Sequence, residues 1–193
     1  MVPDRIQHQS GGDVYVPSGR TVEFASGSTL TLGGTMSRAS VVRQLQIGAK
    51  IGTTAGWVVN AADNKNSLAR CPASQTASTL VLPISGLKVG DIITAFSLIG
   101  QIESGGNTCT VDAALRKQTT AVADLTDAAI TGGDMTQVSV TADTALSASN
   151  ASKTLTTAET IGADESIYLL ITATTGASTD IDLQGVNLTV TEA

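Results

Sequence analysis

Acid–base or nucleophilic chemistry needs a held imidazole, an activated thiol or hydroxyl, or a converging pair of carboxylates, and this sequence is poor in all of them. Its one histidine, His8, sits in the polar stretch MVPDRIQHQSGGD. A Ser-His-Asp or Cys-His arrangement requires that ring to be oriented by a third group, which a polar terminal stretch does not offer. Cys71 and Cys109 lie far apart, with no C-x-x-C pair and no further histidine, so zinc ligation is not expected. Two readings stand for them: reduced small hydrophobes, or a disulfide.

The acids are scattered, and only Asp124/Asp127, Asp164/Glu165 and Asp180/Asp182 are close in sequence. The spacing of Asp180 and Asp182 puts both on one face of a strand. There they are either solvated sheet-face acids or a pair able to hold a hard cation. The glycines form GG, GS and SG turns without a G-x-G-x-x-G or Walker pattern, so no nucleotide site is expected. Asn150-Ala151-Ser152 and Asn187-Leu188-Thr189 match the glycosylation pattern, but no apolar signal segment precedes them. Trp57, Tyr15 and Tyr168 are the aromatic rings large enough to stack a sugar and polar enough to orient it, and a lone Trp at a strand start reads first as a core plug. The expectation is a non-enzymatic chain with no catalytic, cofactor or metal residues.

Composition points the same way. Thr (28), Ser (18), Ala (25) and Gly (19) make up close to half of the 193 residues, with 3% aromatic and 15% charged. Mean hydropathy is +0.18, unlike a disordered chain, yet no apolar run reaches the roughly 18–20 residues of a membrane helix. Residues 1–50 carry five basic and three acidic groups, a net of +2; the remainder carries six and fourteen, a net of −8. A basic N-terminal quarter on an acidic body can orient docking onto an acidic partner. The acidic total, with pI ≈ 4.6, argues against binding nucleic acid.

Those residues must be positioned by strands. Val14, Val16, Val22, Phe24, Leu30 and Leu32 come as i, i+2 pairs every eight residues, with Pro17-Ser18-Gly19 and Ser26-Gly27-Ser28 between them. This is the rhythm of short β-rungs joined by small-residue turns, and rungs so short are expected to be stable when several chains pack around an axis. Residues 35–54 read as a connector, where Val41, Val42 and Leu45 fit one helix face while Gln44–Ile47 alternates like a strand. From residue 55 onward the sequence reads as β throughout. Strands are expected at Trp57–Ala61, Thr79–Pro83, Asp91–Glu103, Thr108–Thr119, Met135–Ala142, Ser152–Thr157, Ser166–Thr174 and Asp180–Thr191. Gly105-Gly106-Asn107 reads as a hairpin turn, Ala121–Ile130 as a connection with one helical turn, and Trp57, Phe96 and Tyr168 as large core fillers. The expected fold is all-β: an arm (1–13), a short β-solenoid or β-prism-like stalk (14–34), the connector, and a jelly-roll-type β-sandwich head (55–193).

The stretch VPSGRTVEFASGSTLTLGG resembles the short-rung β-structure near the N-termini of tailed-bacteriophage fibre, head-fibre and capsid-decoration proteins. LVLPISGLKVGDIITAFSLIGQIES and ESIYLLITATTGASTDIDLQGVNLTVTE resemble strands of the jelly-roll heads in that class. The resemblance is one of style over most of the chain, without a diagnostic motif. It implies a homotrimer that binds the capsid or tail through one end, without enzymatic activity. It also implies synthesis in the host cytoplasm and a final place on the virion capsid surface.

The expected function is therefore that of a trimeric capsid cement or decoration protein, partnered by itself and by the major capsid protein or another virion protein. Val14, Tyr15, Val16, Val22, Phe24, Leu30 and Leu32 are expected at the stalk interface, and Arg5, Arg20, Arg38 and Arg43 at capsid contacts. Neither nucleic acid nor a membrane is an expected partner. The alternative is a receptor- or carbohydrate-binding fibre tip; a depolymerising enzyme would need a longer solenoid with carboxylates in its groove.

Overall fold

Alternation is used directly in the longest strands. Between Glu165 and Thr175, Ile167, Leu169, Ile171, Ala173 and Thr175 are buried, whereas Tyr168, Leu170, Thr172 and Thr174 between them are partly exposed, as a period of two requires. The computed structural model describes residues 40–45, 56–59, 69–120 and 124–193. The chain divides into two units, Met1–Ser37 and Arg38–Ala193, and the described residues all belong to the second. Every regular element among them is a strand: β1 (Val41–Leu45), β2 (Val58–Val59), β3 (Ala69–Cys71), β4 (Ser78–Ile84), β5 (Ile92–Glu103), β6 (Cys109–Thr120), β7 (Leu125–Asp134), β8 (Val138–Val140), β9 (Thr144–Leu146), β10 (Ser152–Thr160), β11 (Glu165–Thr175) and β12 (Asp180–Thr191).

The strands form two open sheets. In the first, the order is β10-β5-β12-β3-β2, with β1 also on β12 and β9 also on β5; in the second it is β4-β11-β6-β7, with β8 on β6. All pairings are antiparallel. The two sheets share one hydrophobic core. Ile93, Phe96 and Leu98 of β5 and Leu183, Val186 and Leu188 of β12 enter it from the first sheet; Leu80 and Leu82 of β4, Leu115 of β6 and Leu169 and Ile171 of β11 enter from the second. With so few rings, branched aliphatics must fill the space between the sheets, each contributing about 1.5–3 kcal/mol on burial.

Both flanks are sealed by specific devices. On one, β10 shifts register between Thr154 and Glu159, and β7 shifts against Ala114/Arg116 of β6. These bulges turn Leu155 and Ile130 into the core, and Gly132, at φ +71, lies so close to Thr156 that a Cβ would collide with the threonine hydroxyl. On the other flank, Trp57, next to β2 of the first sheet, donates its Nε1–H to the Ser78 carbonyl of β4 in the second, at 3.1 Å.

Three local expectations change, and one left open is decided. Leu125–Asp134, which overlaps the stretch Ala121–Ile130 expected to make a helical turn, is strand β7, because Leu125–Ala129 pair with Arg116–Thr120 of β6; ladder hydrogen bonds override the helix propensity of Ala-rich AVADLTDAAI. Gly105 and Gly106, with φ +51 and +83, do make a tight turn. However, β5 and β6 lie in different sheets, so the turn is a crossover and not a hairpin. Tyr168 is no core filler: Ile167 and Leu169 face inward, which sends it to the outer face. Val41–Leu45, within the connector, is a strand whose five residues all pair with β12, from Val41↔Val190 to Leu45↔Val186.

Candidate functional site

The outer face of the first sheet carries a groove of about 370 Å³. The register explains it. Val42, Thr189, Ala95 and Thr154 form one cross-strand row over β1, β12, β5 and β10, and Asn187, Ser97 and Ser152 lie in the next row. Ala95, Ser97 and Ser152 are short, so the sheet is bare in its middle. Val42, 65% exposed, stands at the β1 side. Ala95 and Ser97 of β5, at i, i+2, are the small outward pair that makes this floor. The described lining offers hydroxyls, one carboxamide and the Lys153 ammonium. It can hydrogen-bond and admit a close-packed surface, and it holds no acid–base couple.

Two clusters of ionisable groups elsewhere are tied into cross-strand links. On the outer face of the second sheet, Arg116 of β6 donates to the Tyr168 hydroxyl at 3.0 Å and to Asp127 Oδ2 at 2.8 Å, while Tyr168 donates to Asp127 Oδ1 at 2.7 Å. The hydrogen bonds from Arg116 and Tyr168 hold the Asp127 carboxyl below its usual range. Desolvation, then the neighbouring carboxylate, raises the Tyr168 phenol. Lys117 reaches Glu159 Oε1 at 2.6 Å and Glu165 Oε1 at 3.0 Å. Glu165 also accepts the Gly162 N–H at 2.7 Å, and that backbone bond, followed by Lys117, depresses its carboxyl.

Among the acidic pairs read from sequence, Asp124 caps its own strand through Leu125 N–H, and Asp164 sits exposed at φ +62. Asp180 and Asp182 do share a face, as their spacing implied, and Arg70 of β3 lies between them as an ion-pair partner. Among the described residues, no three His, Cys, Asp or Glu side chains gather into a metal-holding group. Asn150 spends its amide in a turn, accepting from Ser147 N–H and donating to the Ala145 carbonyl. Cys71 and Cys109 are free and fully buried, and burial pushes both thiols up to about 11.

Of the expected interface residues, Arg43 is in β1 opposite Leu188. Val14, Tyr15, Val16, Val22, Phe24, Leu30, Leu32, Arg5, Arg20 and Arg38 lie outside the described residues, as does His8. No helix of the described residues is long and apolar enough to cross a membrane. The partners Arg116–Asp127–Tyr168, Lys117–Glu159 and Arg70–Asp180 could not be found from sequence spacing, because each joins strands remote along the chain. Compared with known protein families and with curated proteins, the chain matches no family model and no individual protein.

Proposed function

We propose that the chain is a non-enzymatic structural subunit of a bacteriophage virion, a trimeric capsid cement or decoration protein with a jelly-roll-type sandwich head. The observation that supports this most is β1. Directly after the N-terminal residues that carry the stalk-like repeat, the chain pairs along five residues with β12, a central strand of the larger sheet. A segment that self-associates would thus be fastened to a rigid head by a continuous ladder. The groove beside β1, floored by small residues and edged by exposed Val42, suits packing against a larger protein surface, where burying apolar area stabilises a shell. The Arg116–Asp127, Lys117–Glu159 and Arg70–Asp180 pairs link strands to one another, as a scaffold uses them.

The test is oligomeric mass by light scattering together with co-sedimentation on capsids lacking the protein. A trimer that binds capsids, and a variant without residues 1–34 that stays folded but neither trimerises nor binds, is the expected result. A monomeric full chain that fails to sediment with capsids overturns the proposal.

A further inference from the structure

We infer that Asp180 and Asp182 form a calcium site on the outer face of the first sheet. Asp182 is 3% exposed, and neither of its carboxylate oxygens accepts a hydrogen bond; Asp180 Oδ1 is likewise buried without a donor. A carboxylate removed from water costs several kcal/mol unless something replaces the lost hydration. Arg70 replaces only part of it. Its Nη2 bonds the other oxygen of Asp180, while its Nε stands 3.7 Å from Asp182 Oδ1, beyond hydrogen-bonding distance.

The register adds further oxygen. Asp182 lies opposite Gln101 and Asp180 opposite Glu103, both on β5, and directly opposed residues share one face of a sheet. On this face Asp180 and Asp182 share the one Arg70 guanidinium, so the two carboxylates outnumber the cation between them. Three orphaned anionic oxygens with a nearby carboxamide form a hard donor set. It suits Ca²⁺, which accepts irregular oxygen ligation and fills its shell with water, better than Mg²⁺, which demands a strict octahedron. A site with so few carboxylates belongs to the weak class, with Kd of roughly 0.1–1 mM. The i, i+2 spacing alone could not reveal it, because strand acids are ordinarily solvated; the burial and the missing donors point to a ligand.

The experiment is thermal unfolding of metal-stripped full-length protein against CaCl₂, with KCl at matched ionic strength as control. A tenfold excess of Ca²⁺ over Kd is expected to raise Tm by about 3–6 °C. Asp182→Asn, checked for native far-UV circular dichroism, should abolish the rise. Arg70→Gln, which removes the competing cation, should enlarge it. If neither the wild type nor Arg70→Gln responds at about 10 mM Ca²⁺, the site does not exist. The same holds if KCl gives an equal rise or Asp182→Asn keeps the full response.

Discussion

Lys117 stands in the second sheet and Glu159 in the first, and their side chains meet at 2.6 Å. The contact spans the layers beyond the aliphatic core, and Glu165 at 3.0 Å makes Lys117 the shared cation of two acids. Lys117→Met should therefore cost about 1 kcal/mol, the scale of a partly exposed, hydrogen-bonded ion pair. The cost is read from the urea midpoint at neutral pH and should shrink in high salt. An unchanged midpoint would show that the bridge contributes nothing.

The same cluster sets a pH dependence. Hydrogen bonds from Gly162 and then Lys117 depress Glu165. Its contribution is thus complete above the ordinary glutamate value and lost as pH falls through the depressed folded value. Bonds to Glu159 and then Glu165 raise Lys117, so its contribution is complete below the ordinary lysine value and lost as pH rises through the raised one. Urea midpoints across pH should fall at both ends. In Lys117→Met both losses should shrink, the alkaline one to the part owed to Tyr168 and the buried thiols and the acid one to the part owed to Gly162 and Asp127.

Gly132 and Gly106 make a matched pair. Both have positive φ, +71 and +83, but a Cβ on Gly132 strikes Thr156, whereas one on Gly106 meets nothing within 4 Å. Gly106→Ala should cost about 1 kcal/mol, for backbone strain alone. Gly132→Ala should cost at least about 2 kcal/mol more, because it also pries β7 from β10. Equal losses on chemical denaturation would mean the bulges do not seal that flank.

The two thiols provide a test of core integrity. Fully buried and raised to about 11, they should resist an aromatic disulfide reagent at pH 8 in the native protein, since the thiolate is the reactive form. Both should react at once in denaturant. Rapid native labelling of either would place that cysteine outside the core described here.

Tyr168 should titrate late. Desolvation and then Asp127 hold its phenol above the usual value, so ultraviolet difference spectra should show one high-pH tyrosine transition that is absent from Tyr168→Phe. Losing the two hydroxyl hydrogen bonds should also destabilise that variant by about 1 kcal/mol.

Sequence reading located the long strands because alternation or an apolar run marked them: Asp91–Glu103 against the observed Ile92–Glu103, and Asp180–Thr191 as observed. β7 escaped because Leu125–Ala129 are all exposed, leaving no period-two apolar signal to read. β3 escaped because three residues are too few to show a period. Tyr168 was legible in principle, since the inward parity of Ile167, Leu169 and Ile171 fixes it outward. The candidate sites were scarcely legible. Asp180 and Asp182 share a face by spacing alone, but Arg70 reaches them from β3, and no local pattern encodes that approach. The groove floor shows only as the i, i+2 pair Ala95 and Ser97, which gains meaning once Thr189 and Asn187 are known to lie beside it.

The antiparallel pairing of β1 with β12 also has a mechanical side. Val41 faces Val190 and Leu45 faces Val186, so tension between Ser40 and Ala193 enters the ladder at one end and peels its bonds one after another. Tension between Ser40 and Gly185 enters at opposite ends and must shear them together. Optical-trap pulling along the first axis should release β1 at a distinctly lower force than along the second. The head would then give way to a tug on its two chain ends while resisting a sideways drag.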